Sequence, residues 1–203
     1  YRDFASPSGA FPLKEFRSRH SAATEAVGYG KVLMGFHELR QLVGDDLFRQ
    51  SLRTFYKDYR GTRASFANVR TAFEKTTGQD LARFFDDWVN RTGAANLAVS
   101  NVKVAGKGDQ YTVTGVLTQR QSGPYDIEVP VAVSTAAGPV IARIRSKDAA
   151  TNFSIETTSA PTAVSVDPAF DVFRILDPRE TAPSIGQLFG ASDVVAVLPA
   201  EPA

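Results

Sequence analysis

The sequence predicts an α+β fold in which an N-terminal helical bundle or array is followed by an antiparallel β-sandwich. Up to Gly93 the apolar residues recur at the spacing of a helix face, and after it they alternate with polar residues as in half-buried strands. A glycine also stands where each helical run stops, which is typical of helix C-termini. We therefore predict a helical part at residues 1–94, a β-sandwich at 95–178 and a tail at 179–203.

Composition excludes several classes of partner and site. The 203 residues, 43% of them hydrophobic, suffice to bury a core. With 23 basic and 22 acidic residues the net charge is near zero, so we expect no nucleic-acid partner and no anionic membrane surface. No apolar run approaches the roughly 20 residues of a membrane span. The absence of cysteine excludes disulfides and thiolate zinc sites but leaves the compartment open.

The N-terminal stretch, residues 1–20, contains prolines, a glycine and basic side chains, and is predicted to be a loop that leads into the helices. The chain begins at Tyr1, and its only methionine is Met34. We therefore expect a piece of a longer protein rather than a complete translation product.

Four helices are predicted before Gly93. The first ends at Gly44, and side chains that can cap the other three are Asp45 or Asp46, Ser65 and Asp80. Their short links predict antiparallel neighbours, and their aromatic side chains are expected in the core. The predicted spans are 26–43, 45–60, 65–78 and 80–93.

Six strands are predicted after Gly93, divided by Gly, Pro, Asp or Asn. Lys107–Asp109 is interpreted as a hairpin turn, and Pro130 predicts that the third strand lies at an edge or contains a bulge. The predicted spans are 97–104, 110–118, 125–134, 140–145, 152–156 and 163–166.

Prolines end the sheet between Asp167 and Glu180. The segment 171–174 is predicted to fold back on the sheet with Phe170 and Phe173 buried. The tail carries a helical pattern at 185–189 and a strand-like one at 194–198, which fits either an added edge strand or the first element of something further.

One stretch stands out for chemistry. Tyr29, Gly30 and Lys31 form a tripeptide at the head of the first helix, so Tyr29 is expected in its first turn. Gly28 and Gly30 leave the adjoining backbone without side-chain bulk, so a ligand could come close. Lys31 should point to another face than Tyr29, with a structural or surface role.

The tripeptide is followed by further matching segments in a fixed order, and over roughly residues 22–120 the chain resembles the C-terminal half of aminopeptidase N-like zinc metallopeptidases, the gluzincins. Val32 stands where that family usually has glycine. The other matching segments are Leu42–Phe48, Ser65–Phe66, Phe73, Thr77–Leu81 and Phe84–Val89.

The resemblance implies that the helical part is the end of a catalytic domain. It also implies that the parent hydrolyses N-terminal residues from peptides, with zinc bound by residues upstream of Tyr1. By its position Tyr29 would be the catalytic tyrosine whose hydroxyl hydrogen-bonds the oxyanion. This chain alone would bind no zinc and have no peptidase activity.

Other residues give weaker patterns. His37-Glu38-Leu-Arg-Gln41 imitates a zinc-binding His-Glu-x-x-His motif but ends in a poor ligand, so a helix-surface His and Glu are expected. Asp86 and Asp87 diverge along a helix and are expected on a solvated face. The sequence lacks a Gly-x-Ser-x-Gly elbow, a phosphate loop and a dinucleotide fingerprint.

Two other functions fit the same sequence. The chain could be a scaffold or protein-interaction module from a parent that has lost its zinc motif, or an unrelated α+β binding protein whose first helix presents Tyr29 to no cleft. If the catalytic half is missing, its removal should expose an apolar surface, and dimers are expected.

Overall fold

Helices occupy the chain up to Asn90 and antiparallel strands follow from Leu97, in a computed structural model that describes residues 10–181, Phe189, Asp193 and Val195. The predicted order of helices before strands is confirmed. The helix and strand predicted in the tail fall on residues that are almost all outside the described part. The helical elements are a 3-10 helix at Leu13–Glu15, α1 at Ala22–Glu25, a π-helix at Ala26–Lys31, α2 at Val32–Val43, α3 at Asp45–Tyr59, α4 at Phe66–Thr77, α5 at Ala82–Phe85 and a second π-helix at Asp86–Asn90.

The first helix begins four residues earlier than the sequence pattern predicts. Ser21 Oγ accepts a hydrogen bond from Thr24 N at 3.2 Å, and Thr24 Oγ1 accepts one from Ser21 N at 2.9 Å. This reciprocal capping starts α1 at Ala22. Tyr29 therefore lies beyond the first turn, and the prediction that it lies within the first turn is wrong. The backbone continues into the π-helix without a break.

The helix ends predicted at Gly44 and Gly78 are correct, but the last helix ends at Asn90 rather than at Gly93, and the cap predicted for α3 is wrong. Gly44 and Gly78 have φ of 82° and 70°, as the ends of α2 and α4 require. Gly44, with no side chain, is also the N-cap of α3. Asp45 instead accepts two hydrogen bonds from Arg40, each 2.7 Å long.

Aromatic side chains fill much of the helical core, as predicted. Phe73 is fully buried and meets Phe48 edge-on with 5.6 Å between ring centroids. Trp88 is 8% exposed and packs on Phe173 at 5.2 Å. Tyr56 is the exception, because 64% of its surface remains exposed.

The strands form two antiparallel three-stranded sheets, ordered β1-β2-β5 and β4-β3-β6. Side chains from both sheets, among them Val113, Val129, Val131 and Phe153, share one buried cluster. The strands are β1 at Leu97–Lys107, β2 at Gln110–Gln119, β3 at Ile127–Thr135, β4 at Val140–Ser146, β5 at Ala150–Thr157 and β6 at Pro161–Val166.

Pro130 predicts a strand that lies at an edge or contains a bulge, and the edge position is wrong, because β3 lies between β4 and β6. The strand does have a register shift against β6, at Ser134–Thr135 rather than at the proline. In a strand, the backbone N and O of one residue point to the same side. Pro130 O accepts a hydrogen bond from Asp167 N at 2.7 Å, so the proline nitrogen also faces that side. The ladder with β6 ends at the pair Val131–Val166, and therefore the missing N–H costs no ladder bond.

The segment after β6 folds back toward the helices around a buried carboxylate. Asp167 is fully buried, and it accepts hydrogen bonds from Asp171 N at 2.6 Å and Arg174 Nε at 2.9 Å. The prediction that Phe170 is buried is wrong. It has a φ of 58° in the turn that follows Asp167, and 48% of its surface is exposed.

Candidate functional site

Tyr29 lies on the first π-helix with its ring largely in solvent. The side chain is 57% exposed, and the ring of Phe16 meets it edge-on at 5.9 Å between centroids. Beside it, a Cβ added to Gly30 would find no heavy atom within 4 Å among the described residues. The phenol and the open backbone at Gly30 therefore form one accessible surface, as the sequence predicts.

Gly28 has a different role from the one expected. A Cβ at this position would lie 2.2 Å from Phe16 Cε2, so only glycine lets the ring of Phe16 pack on the π-helix. The backbone beside Tyr29 is thus open at Gly30 and covered at Gly28. Phe16 contacts both Gly28 and Tyr29, and no pattern in the sequence singles it out.

Lys31 points away from Tyr29, as predicted, but it is no surface residue. Only 1% of it is exposed, and its Nζ donates a hydrogen bond to Arg91 O at 2.7 Å. Burial and, to a smaller extent, the nearby Arg91 guanidinium lower the pKa of Lys31 from 10.5 to about 8, against the opposing effect of Asp87, which raises it. The ammonium of Lys31 thus joins the first π-helix to Arg91, the residue that follows the second π-helix.

Asp87 is the centre of a buried ion cluster, so the prediction of a solvated acidic face is wrong for it. The residue is 3% exposed and accepts hydrogen bonds from Arg83 Nε at 2.9 Å, Arg91 Nη1 at 2.8 Å and Asp126 N at 3.2 Å. Asp86 is exposed, because neighbours in a helix diverge. The cluster connects the second π-helix to the loop before β3.

His37 and Glu38 are partly buried and bind the segment after β6, so the expectation of a simple surface pair is wrong. His37 Nε2 and Asp171 Oδ1 are hydrogen-bonded at 2.8 Å, and Glu38 Oε1 accepts from Phe173 N at 2.6 Å. Burial raises the pKa of Glu38 from 4.5 to about 8; the Phe173 N–H opposes this shift and Asp167 adds to it. These contacts span more than 130 residues of sequence, and no local pattern could have revealed them.

The chain does not offer a metal centre in its described part. Within residues 10–181 no three His, Cys, Asp or Glu side chains are grouped to hold an ion. A catalytic zinc needs about three protein ligands and an open position, so these residues do not fit one.

A cleft of about 750 Å³ lies next to the first π-helix. Its walls are mostly apolar, and three cations, Lys14, Arg17 and Arg63, border it. Gly28 lines this cleft but Tyr29 does not. Within the described chain, then, Tyr29 stands on a surface beside the cleft, and any enclosed site around it would need further protein.

Comparison with known proteins gives a structural likeness only. No protein-family model and no curated protein sequence matches the chain. Among solved structures, it resembles the crystal structure of Legionella pneumophila aminopeptidase A in complex with aspartic acid, with a TM-score of 0.58 and 17% sequence identity. The match covers 78% of this chain and 18% of that chain, so this chain spans a small part of that enzyme's length. The likeness shows an aminopeptidase-like fold.

None of the helices in the described residues has the length and apolar character needed to cross a membrane.

Proposed function

We propose that the chain is the C-terminal part of a zinc-dependent aminopeptidase of the gluzincin type, and that it supplies the tyrosine that stabilises the oxyanion during cleavage of N-terminal residues from peptides. The helices would then be the end of the catalytic domain, and the two sheets a β-sandwich behind it. Zinc would be held by residues outside this chain, which alone would be inactive.

One observation carries the proposal: an exposed phenol stands on a turn that is fixed from behind. Tyr29 is 57% exposed, whereas Lys31, two residues on, is 1% exposed and hydrogen-bonded to Arg91 O. Leu33, one turn further along the helix, is 70% exposed. Such a surface is suited to face another part of a protein, and the fold likeness to an aminopeptidase supports this interpretation.

The chemistry assigned to Tyr29 needs only its hydroxyl. Attack on a scissile carbonyl places negative charge on the carbonyl oxygen, and the phenol O–H donates a hydrogen bond to it at about 3 Å. The space beside Gly30 lets the peptide backbone of the substrate approach the turn. The one ring contact of Tyr29 among residues 10–181 is with the edge of Phe16, and no hydrogen bond engages its hydroxyl there.

The test is turnover of an aminoacyl-coumarin by the full-length protein that contains this chain. Tyr29→Phe removes one hydroxyl and keeps the ring, and we expect kcat to fall about 100-fold or more with little change in KM. The matched control is Tyr56→Phe, because Tyr56 is 64% exposed and lies on α3. Its turnover should equal that of the wild type.

Two results would overturn the proposal. Unchanged turnover in Tyr29→Phe would make Tyr29 a structural residue. A wild-type protein without peptidase activity, prepared with zinc, would favour the scaffold or interaction module instead.

A further inference from the structure

The geometry points to Lys31 as the residue that positions Tyr29. This inference rests on the proposed function, because it explains how the exposed phenol is held for its task. Lys31 does not itself touch substrate; its 1% exposure excludes that. It acts on the backbone turn from which Tyr29 projects.

The first step is that Tyr29 has little restraint of its own. Within residues 10–181 its hydroxyl has no hydrogen-bond partner, and its ring is 57% exposed with one edge contact to Phe16. Gly28 and Gly30 flank it, and glycine is the least restricted residue along a backbone. The direction of the phenol is therefore set by the π-helix backbone, and whatever fixes that backbone fixes Tyr29.

The second step is that Lys31 fixes the C-terminal end of the π-helix through a hydrogen bond to a distant part of the chain. Its Nζ donates to Arg91 O at 2.7 Å, across 60 residues of sequence. Arg91 is the residue at which the second π-helix ends, and its own N–H bonds to Asp86 O at 3.3 Å. One ammonium thus ties two π turns together, and such turns are frequent at functional sites.

The third step is that the anchor itself is rigid. The Arg91 side chain donates to Asp87 at 2.8 Å and to Pro124 O at 2.9 Å, and its guanidinium lies 3.7 Å from the ring centroid of Tyr125. The carbonyl that receives Lys31 therefore belongs to a residue held on several sides. A shift of Lys31 would have to move the junction between the helices and β3.

The fourth step is chemical. Burying an ammonium is costly unless it is hydrogen-bonded, so a buried lysine is not needed merely to fill space. The pKa of Lys31, about 8, still leaves it mostly protonated at neutral pH. Methionine would fill a similar volume without the donor, and the Arg91 carbonyl would then lose its partner.

The first measurement is fluorine NMR of the 203-residue chain labelled with fluorotyrosine. The chain has 6 tyrosines, and Tyr29→Phe assigns the signal of Tyr29. In Lys31→Met we expect the Tyr29 signal to shift and broaden, whereas the tyrosines other than Tyr125, whose ring lies on Arg91, keep their signal positions. The control is Lys75→Met, which removes an exposed lysine paired with Asp58 at 2.7 Å and should leave the Tyr29 signal unchanged.

An unchanged Tyr29 signal in folded Lys31→Met would overturn the inference, and so would equal shifts of all tyrosine signals, which would indicate a general structural role. If Lys31→Met does not fold, Lys31→Gln is measured in its place. Glutamine is shorter by one atom, so its amide N–H stops short of the Arg91 carbonyl, and an unchanged Tyr29 signal in this variant, or equal shifts of all tyrosine signals, would again overturn the inference.

The second measurement is turnover of the aminoacyl-coumarin by the full-length protein, in a cycle of two substitutions. Lys31→Met should lower kcat on the order of 10- to 100-fold with little change in KM, because the phenol is misplaced. In the Tyr29→Phe background the same change should lower kcat no further. An equal loss in both backgrounds would show that Lys31 does not act through Tyr29. If Tyr29→Phe itself has no effect, the proposed function fails, while the NMR result still decides whether Lys31 positions Tyr29.

Discussion

Glu38 shows how one buried group changes its chemistry in this protein. Its carboxyl accepts a 2.6 Å hydrogen bond from Phe173 N, which replaces only part of the hydration that an ionised carboxylate has in water. Burial therefore favours the protonated form and raises its pKa to about 8, so that Glu38 is mostly neutral at pH 7. A neutral carboxyl can still accept the N–H bond, which keeps the contact between α2 and the segment after β6.

This raised pKa predicts a pH-dependent stability. Between its unfolded value of 4.5 and its folded value of about 8, Glu38 binds a proton only in the folded state. The free energy of unfolding should therefore fall as pH rises through this window, by at most about 1.4 kcal/mol per pH unit from this residue. Denaturant titrations of the chain at several pH values would measure the slope.

Glu38→Gln keeps an oxygen that can accept a hydrogen bond from Phe173 N, but the amide side chain cannot titrate. The free energy of unfolding of this variant should therefore fall less steeply with pH than that of the wild type. Glu156→Gln changes an exposed carboxyl on β5 and should retain the wild-type slope. If the free energy of unfolding changed with pH in the same way in wild type and Glu38→Gln, the raised pKa of Glu38 would be contradicted.

At the scale of single elements, replacing the two glycines around Tyr29 by alanine should have different effects on stability. Gly28→Ala would place a Cβ 2.2 Å from Phe16, so Phe16 must move, and overpacking of this kind costs about 1–3 kcal/mol of stability. Gly30→Ala meets no atom within 4 Å in the described structure and should leave the chain as stable as wild type or slightly more so. Thermal unfolding of the two variants would show the difference.

Gly30→Ala carries a second expectation in the full-length protein. If Tyr29 acts as proposed, the methyl group would occupy the open space beside it, so turnover should fall although stability does not. Full turnover in Gly30→Ala would show that substrate does not pass this side of the turn.

The elements also show which features the sequence can predict. Helix ends at Gly44 and Gly78 depend on a few neighbouring residues, and they are predictable because φ is set locally. Three other features cannot be predicted in this way, because each depends on partners distant in sequence. They are the π turns, the central position of β3 and the burial of Asp87. Pro130 is tolerated only because its nitrogen faces the end of β6.

At the scale of the whole molecule, the helical and sheet parts are connected by several independent contacts. Asp126 N bonds to Asp87, Phe173 N bonds to Glu38, and Arg143 Nη2 donates to Gln41 Oε1 at 3.3 Å. Trp88 and Phe173 stack across the same junction. The turn that carries Tyr29 is thus connected, through Lys31 and Arg91, to the junction that positions the sheets.

Tyr29 and Leu33 are exposed on the first π-helix and the start of α2, whereas Lys31 between them is buried. We propose that the surface formed by Tyr29 and Leu33 drives self-association of the isolated chain. Tyr29 and Leu33 are 57% and 70% exposed one helical turn apart, and burying such a pair against a second copy would remove apolar surface from water. Sedimentation velocity should show a concentration-dependent dimer. Leu33→Glu should weaken it at least about 10-fold with an unchanged circular dichroism spectrum, since a charge at a buried apolar contact is costly. Val104→Glu, at a 53% exposed position on β1, should leave the dimer intact. A wild-type chain that stays monomeric at all concentrations would mean that this surface does not associate with itself.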